Sequence, residues 1–166
     1  MNMVPNAELV DDLGKEIVTS LAPYELPVYR ANRDAFFENP EKAVESSSDK
    51  EDMLAFGSVA SGATFLTPVI LSVVSEVVKY LVGVIKETAR TEGAPLLSDT
   101  VKSYFVKLRQ KVQPASQPAP EELSLSDAEL RLIHKLAYEK GIQSKLNEAS
   151  ARALAESLVG SIVLAT

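Results

Sequence analysis

An all-α fold is predicted by three observations. Apolar residues recur at helical spacing in four separate stretches; the breaks between them fall at proline, glycine or capping residues; and no stretch alternates apolar and polar residues with the turn signals of a strand. The architecture expected from the pattern is a helical bundle around a central hydrophobic helical hairpin, followed by a Pro-rich linker and a C-terminal helical hairpin. In residue numbers this is a helical domain over 1–112 with its hydrophobic hairpin at 54–90, a linker at 113–122 and the C-terminal hairpin at 123–166.

The first helix is read from "NAELVDDLGKEIVTSL". Leu9, Val10, Leu13, Ile17, Val18 and Leu21 share one face, and Asn6 precedes an acidic first turn as a cap. Pro23 and Pro27 then turn the chain. A second short helix carries Tyr29, Phe36 and Phe37, and Pro40 restarts the chain. The polar "SSSDKED", Ser46 to Asp52, reads as an exposed loop.

The stretch "LAFGSVASGATFLTPVILSVVSEVVKYLVGVIK", Leu54 to Lys86, follows. Thr67 can cap a helix and Pro68 suits a first turn, so the run divides there into two helices or one kinked helix. In the first half Gly57/Ser61 and Ser58/Gly62 lie one turn apart, which lets another helix come close. The second half is apolar around most of its circumference. Val69, Ile70, Val73, Val74, Val77, Val78, Leu81, Val84 and Ile85 are its candidate interaction or membrane-facing residues, and Glu76 and Lys79 mark a narrow polar stripe that can hold an i,i+3 ion pair.

Gly93 and Pro95 close that helix, and Ser98 opens the next, "LLSDTVKSYFVKLRQKV". Here Lys102, Lys107, Arg109 and Lys111 form a basic cluster beside Tyr104 and Phe105, the arrangement of a solvated face or of a helix lying on an anionic membrane surface. The prolines of "QPASQPAPEE" favour an extended linker. In the last zone Ser126 and Glu129 make a capping box, and Gly141 is read as a helix stop. Leu130, Ile133, Leu136 and Ala137 face one way on the helix before the stop. Ala151, Leu154, Ala155, Leu158 and Ile162 do so on the helix after it.

Charge and composition limit the chemistry. A formal net charge of −6 makes nucleic acid an unlikely partner, and zero cysteines remove disulfides and thiolate chemistry, which fits a reducing compartment. The acidic N-terminal residues lack a secretory pattern, so the expected location is cytoplasmic, with peripheral or inducible association with the inner membrane left open. His134 is the single histidine and borders an apolar helix face, where a packing or surface role is expected. No nucleophile elbow, phosphate loop or metal-ligand spacing occurs, so no enzyme activity, cofactor, metal or small-molecule substrate is expected.

From Met53 to Ser75 no side chain is charged, and a spanning helix needs about 20 apolar residues. Pro68 and the small residues before it weaken that match. Glu76 and Lys79 would each cost of order 2.5–3.5 kcal/mol facing lipid unless paired or turned to water. Three readings of the stretch therefore stand: a soluble central helical hairpin, a hairpin that enters or contacts membrane in at least one state, and an obligate partner interface. The function expected is that of a non-enzymatic accessory or effector protein acting through self-association and membrane contact of this hairpin, the alternative being a soluble helical adapter that mediates protein–protein assembly.

"LAPYELPVYRANRDAFFENPEKA", "FGSVASGATFLTPVILSVVSEVVKYL" and "NEASARALAESLVGSIV" together resemble a group of small all-helical bacterial proteins of conflict or defence gene neighbourhoods. The resemblance implies an accessory or effector role in bacterial defence and carries no catalytic residues with it.

Overall fold

A computed structural model of the chain describes residue 4 and residues 6–48, 65–91 and 125–163. Among these, six α-helices and one 3-10 helix are formed. They are α1 (Ala7–Leu21), the 3-10 helix (Pro23–Val28), α2 (Tyr29–Glu38), α3 (Pro40–Ser48), α4 (Thr67–Thr91), α5 (Asp127–Gln143) and α6 (Glu148–Val163). The fold is all-α. The segment Leu54 to Thr64, the basic aromatic segment with Lys102, Tyr104, Phe105, Lys107, Arg109 and Lys111, and the Pro-rich linker lie outside the described residues.

Each break in the helices has a local cause. Pro23 drives the preceding Ala22 out of the α region, to φ −137° and ψ 53°, and α1 ends there. Asn6 does not cap α1 with its side chain. Its backbone sits in the left-handed region at φ 58°, and its carbonyl accepts from the Leu9 and Val10 amides. Asn39 caps α3, its Oδ1 accepting from the Lys42 amide at 3.1 Å, and Pro40 occupies the first helical position where no amide is needed. Ser46, Ser47 and Ser48 belong to α3 rather than to an exposed loop. Ser47 is buried and returns its hydroxyl to the Ala43 carbonyl at 3.0 Å, which lets a polar residue continue the helix.

The turn between α5 and α6 corrects the reading of Gly141. The helix runs through that glycine to Gln143 and closes with a Schellman arrangement, in which the Leu146 amide donates to the Gly141 carbonyl and the Lys145 amide to that of Ile142, both at 3.0 Å. The left-handed residue is Lys145, at φ 67°. Gly141 is needed for closeness instead: a Cβ there would lie 3.2 Å from that of Ala151 and 3.3 Å from Leu146 Cδ1. Ser126 and Glu129 form the expected capping box at the start of α5, and Asn147 caps α6 through the Ser150 amide at 2.8 Å.

Packing follows from these faces. The predicted α1 positions Val10, Leu13, Ile17 and Val18 are buried, as are Ile133 and Ala137 of α5 and Ala151, Leu154, Ala155, Leu158 and Ile162 of α6. All belong to one apolar cluster with α4. α4 packs against α1, α2, α3 and α5, while α6 packs on α5 and α1. α1 and α4 approach so closely at Gly14 that an added Cβ would collide with Leu71 Cδ2. On the outside, Ser161 of α6 donates to Glu16 Oε1 of α1 at 3.1 Å.

A polar clasp ties α2 to α1. The Tyr29 hydroxyl, on a residue only 5 % exposed, donates to the Asp11 carbonyl at 2.9 Å and to Asp11 Oδ1 at 2.7 Å. Arg33 Nη1 reaches Asp11 Oδ2 at 3.0 Å and holds Asp34 Oδ1 through Nε and Nη2. Burial, reinforced by the hydrogen bond to Asp11, pushes the Tyr29 hydroxyl pKa well up. Arg33 is likewise raised, first by its hydrogen bond to Asp34.

Two predictions follow from these local features. Lys145→Gly removes the left-handed strain of a side-chain-bearing residue and should stabilise the fold by about 1 kcal/mol in urea melts. Because Tyr29 is harder to ionise folded than unfolded, its contribution is present below the unfolded tyrosine pKa of about 10 and is lost as pH rises above it. The stability gap between wild type and Tyr29→Phe should therefore narrow between pH 8 and strongly alkaline buffer, read by chemical denaturation.

Candidate interaction surface around helix α4

α4 is held at its start by a side chain from far upstream. Leu66 supplies the cap position, its carbonyl accepting from the Ile70 amide at 2.9 Å. The Leu66 and Thr67 amides donate to the two carboxylate oxygens of Glu25, at 2.6 and 2.8 Å, and the Thr67 hydroxyl donates to the same carboxylate at 2.5 Å. Pro68 has no amide to satisfy. Glu25 is 2 % exposed although it belongs to the 3-10 helix, whose neighbours Tyr24, Leu26 and Val28 are all exposed. Thr67 thus serves as the first helical residue and a donor to Glu25, rather than as the cap.

The buried carboxylate faces the positive end of the helix dipole and accepts three hydrogen bonds, which offsets its desolvation. Prolines at 23 and 27 bracket it in a tight turn. One residue of that turn points inward and the adjacent apolar ones outward. Helical periodicity could not reveal this; the one available sign was a glutamate flanked by prolines in "PYELP".

The candidate residues of α4 separate into two groups. Val69, Ile70, Val73, Val74, Val77 and Val78 are 0 % exposed and Leu81 is 1 % exposed. Val84 is half-buried, and the Ile85 side chain lies outside the described residues. The stripe faces outward at its charged positions: Lys79 Nζ donates to Glu76 Oε1 at 3.1 Å, and Gly83 is exposed with open space around it. This surface pair is worth a few tenths of a kcal/mol. Thr67–Val84 is long and apolar enough to cross a membrane, with mean hydropathy 1.6, yet 67 % of it is buried inside the fold. A core helix meets the same criterion of length and composition.

Among the described residues, depressions flank the helices in two places. One, of about 480 Å³, lies between α2, α3 and the start of α4, with Asn32, Lys42, Phe65 and Pro68 among its walls. The other is a shallow hollow of about 350 Å³ lined by Asp127, Leu130, Arg131, His134 and Val159. It places the histidine beside the α5–α6 interface, half-buried. Among the described residues no group of three His, Asp or Glu side chains could hold a metal ion. Periodicity had no means of exposing the first depression, which depends on how three helices meet.

No protein-family model, curated protein or solved structure matches the chain.

Removing the Glu25 carboxylate leaves the Leu66 and Thr67 donors without partners in a dry site, at about 1–3 kcal/mol for each unsatisfied group. Glu25→Ala should destabilise the fold by about 2–4 kcal/mol. Glu25→Gln, which keeps one acceptor oxygen, should cost less. Urea denaturation orders the three proteins; equal midpoints for wild type and Glu25→Ala would remove the clasp from the account.

Proposed function

We propose that the chain is a non-enzymatic helical adapter, a soluble bundle built on α4 that mediates protein–protein assembly. The observation that carries this reading is the continuous burial of Val69, Ile70, Val73, Val74, Val77, Val78 and Leu81. A helix whose apolar circumference is covered by its own chain acts as a scaffold, and among the described residues the surfaces open to partners include its polar stripe and the exposed turn at Tyr24, Leu26 and Val28. An accessory place in bacterial defence, within this reading, rests on the resemblance of the three sequence segments alone.

A second reading is favoured by one specific observation, the bilayer-compatible length and hydropathy of Thr67–Val84. In it the helices over α4 open, and α4 associates with further copies and with a membrane, its Glu76–Lys79 stripe turned to a lumen.

One set of measurements separates the two. The adapter reading expects a detergent-free species of defined mass by light scattering, slow amide exchange across Val69 to Leu81, and no flotation with anionic phosphatidylserine-containing vesicles. Val77→Asp/Val78→Asp should unfold it. Dye release from those vesicles by the wild-type chain, abolished by the same double substitution, overturns the adapter reading in favour of the membrane one.

A further inference from the structure

We propose that the depression between α2, α3 and the start of α4 is a binding site for a small monocarboxylate with an apolar body. Its volume, about 480 Å³, lies in the range of small-molecule sites. Asn32 is one of its walls, and the Nδ2 of that side chain is shielded from solvent with no hydrogen-bond partner among the described residues. Buried donors without partners are rare, because the lost hydration goes uncompensated. The Asn χ2 torsion is soft, so a small rotation presents the amide to an acceptor oxygen entering the depression.

The other walls narrow the ligand class. Lys42, exposed at the rim, supplies a cation for a carboxylate, while Glu38, also exposed there, opposes a second negative charge. Polyanions such as phosphate esters are thereby disfavoured. The half-buried Ala43 and Phe65 and the buried Pro68 offer an apolar floor for an alkyl chain or ring. The Glu25 carboxylate fixes the adjacent Thr67 amide and hydroxyl, next in the chain to Pro68.

The test is titration of the isotope-labelled full chain with phenylacetate, followed through the Asn32 side-chain amide resonances, which Asn32→Leu identifies by their disappearance. A saturable shift of those resonances is expected, with Ala43 and Phe65 amides moving in parallel. Phenylacetamide should bind about tenfold more weakly, because it keeps the acceptor and loses the charge. Lys42→Met, at an exposed position, should erase that preference without changing the spectrum elsewhere. Ala43→Leu, which adds an isobutyl side chain to the floor of the depression, should weaken the shift. No saturable shift up to the solubility limit of phenylacetate overturns the proposal. So does a shift of the Phe65 backbone amide that persists undiminished in both Asn32→Leu and Ala43→Leu, or an equal response to inorganic phosphate.

Discussion

The carboxylate of Glu25 on the first amides of α4 is the constraint from which the arrangement of the helices follows. A helix start buried in a core exposes amides that neither water nor the helix can satisfy. Here the remedy comes from a residue 41 and 42 positions earlier than the donors it serves. That reach requires α1 to end abruptly, the chain to turn tightly, and α2 to leave in a fixed direction. Pro23 produces the first, the 3-10 turn the second, and the Asp11–Tyr29–Arg33 clasp the third. The strength of the interaction lies in satisfying buried donors with the two oxygens of one side chain, which is why distance in sequence is no handicap.

The same turn explains the distribution of apolar surface. With Glu25 directed inward, its immediate neighbours in a three-residue-per-turn helix are directed outward, and Tyr24 and Leu26 are exposed at 47 and 36 %; Val28, the last residue of the turn, is exposed as well. An apolar projection on a rigid support loses little conformational entropy on docking, which is the property an adapter surface uses. The exposed turn and the buried α4 start are two sides of one local geometry.

Much of the helical framework was legible in the sequence because it depends on local rules. Apolar spacing marked α1, α2, α4, α5 and α6, and the Ser126–Glu129 capping box marked the start of α5. Where the structure departs, a nonlocal or backbone effect decides. Gly141 is conspicuous as a helix stop, but the left-handed position falls on Lys145, and the glycine serves instead the close approach of Ala151. The serines at the end of α3 look like a loop by composition, yet they continue the helix, where Ser47 is buried and returns its hydroxyl to the Ala43 carbonyl. At the candidate surface, the Glu76–Lys79 pair was readable from i,i+3 spacing. The Glu25 clasp and the depression beside Asn32 were not, since each is created by elements that are distant in the chain.

Burial also weighs the two states available to α4. Each fully buried valine, leucine or isoleucine stabilises the fold by about 1.5–3 kcal/mol relative to exposure. Passing α4 into lipid would spare its own seven fully covered candidate residues that cost, because hydrocarbon is as apolar as the core. It would not spare the faces left behind. Val10, Leu13, Ile17 and Val18 of α1 and Ile133 and Ala137 of α5 share the cluster with α4 and would meet water unless they re-paired with one another. The Glu25 carboxylate would at the same time lose its three donors. Hydropathy of the helix alone therefore overstates its tendency to insert, since the decisive term belongs to the surfaces that cover it.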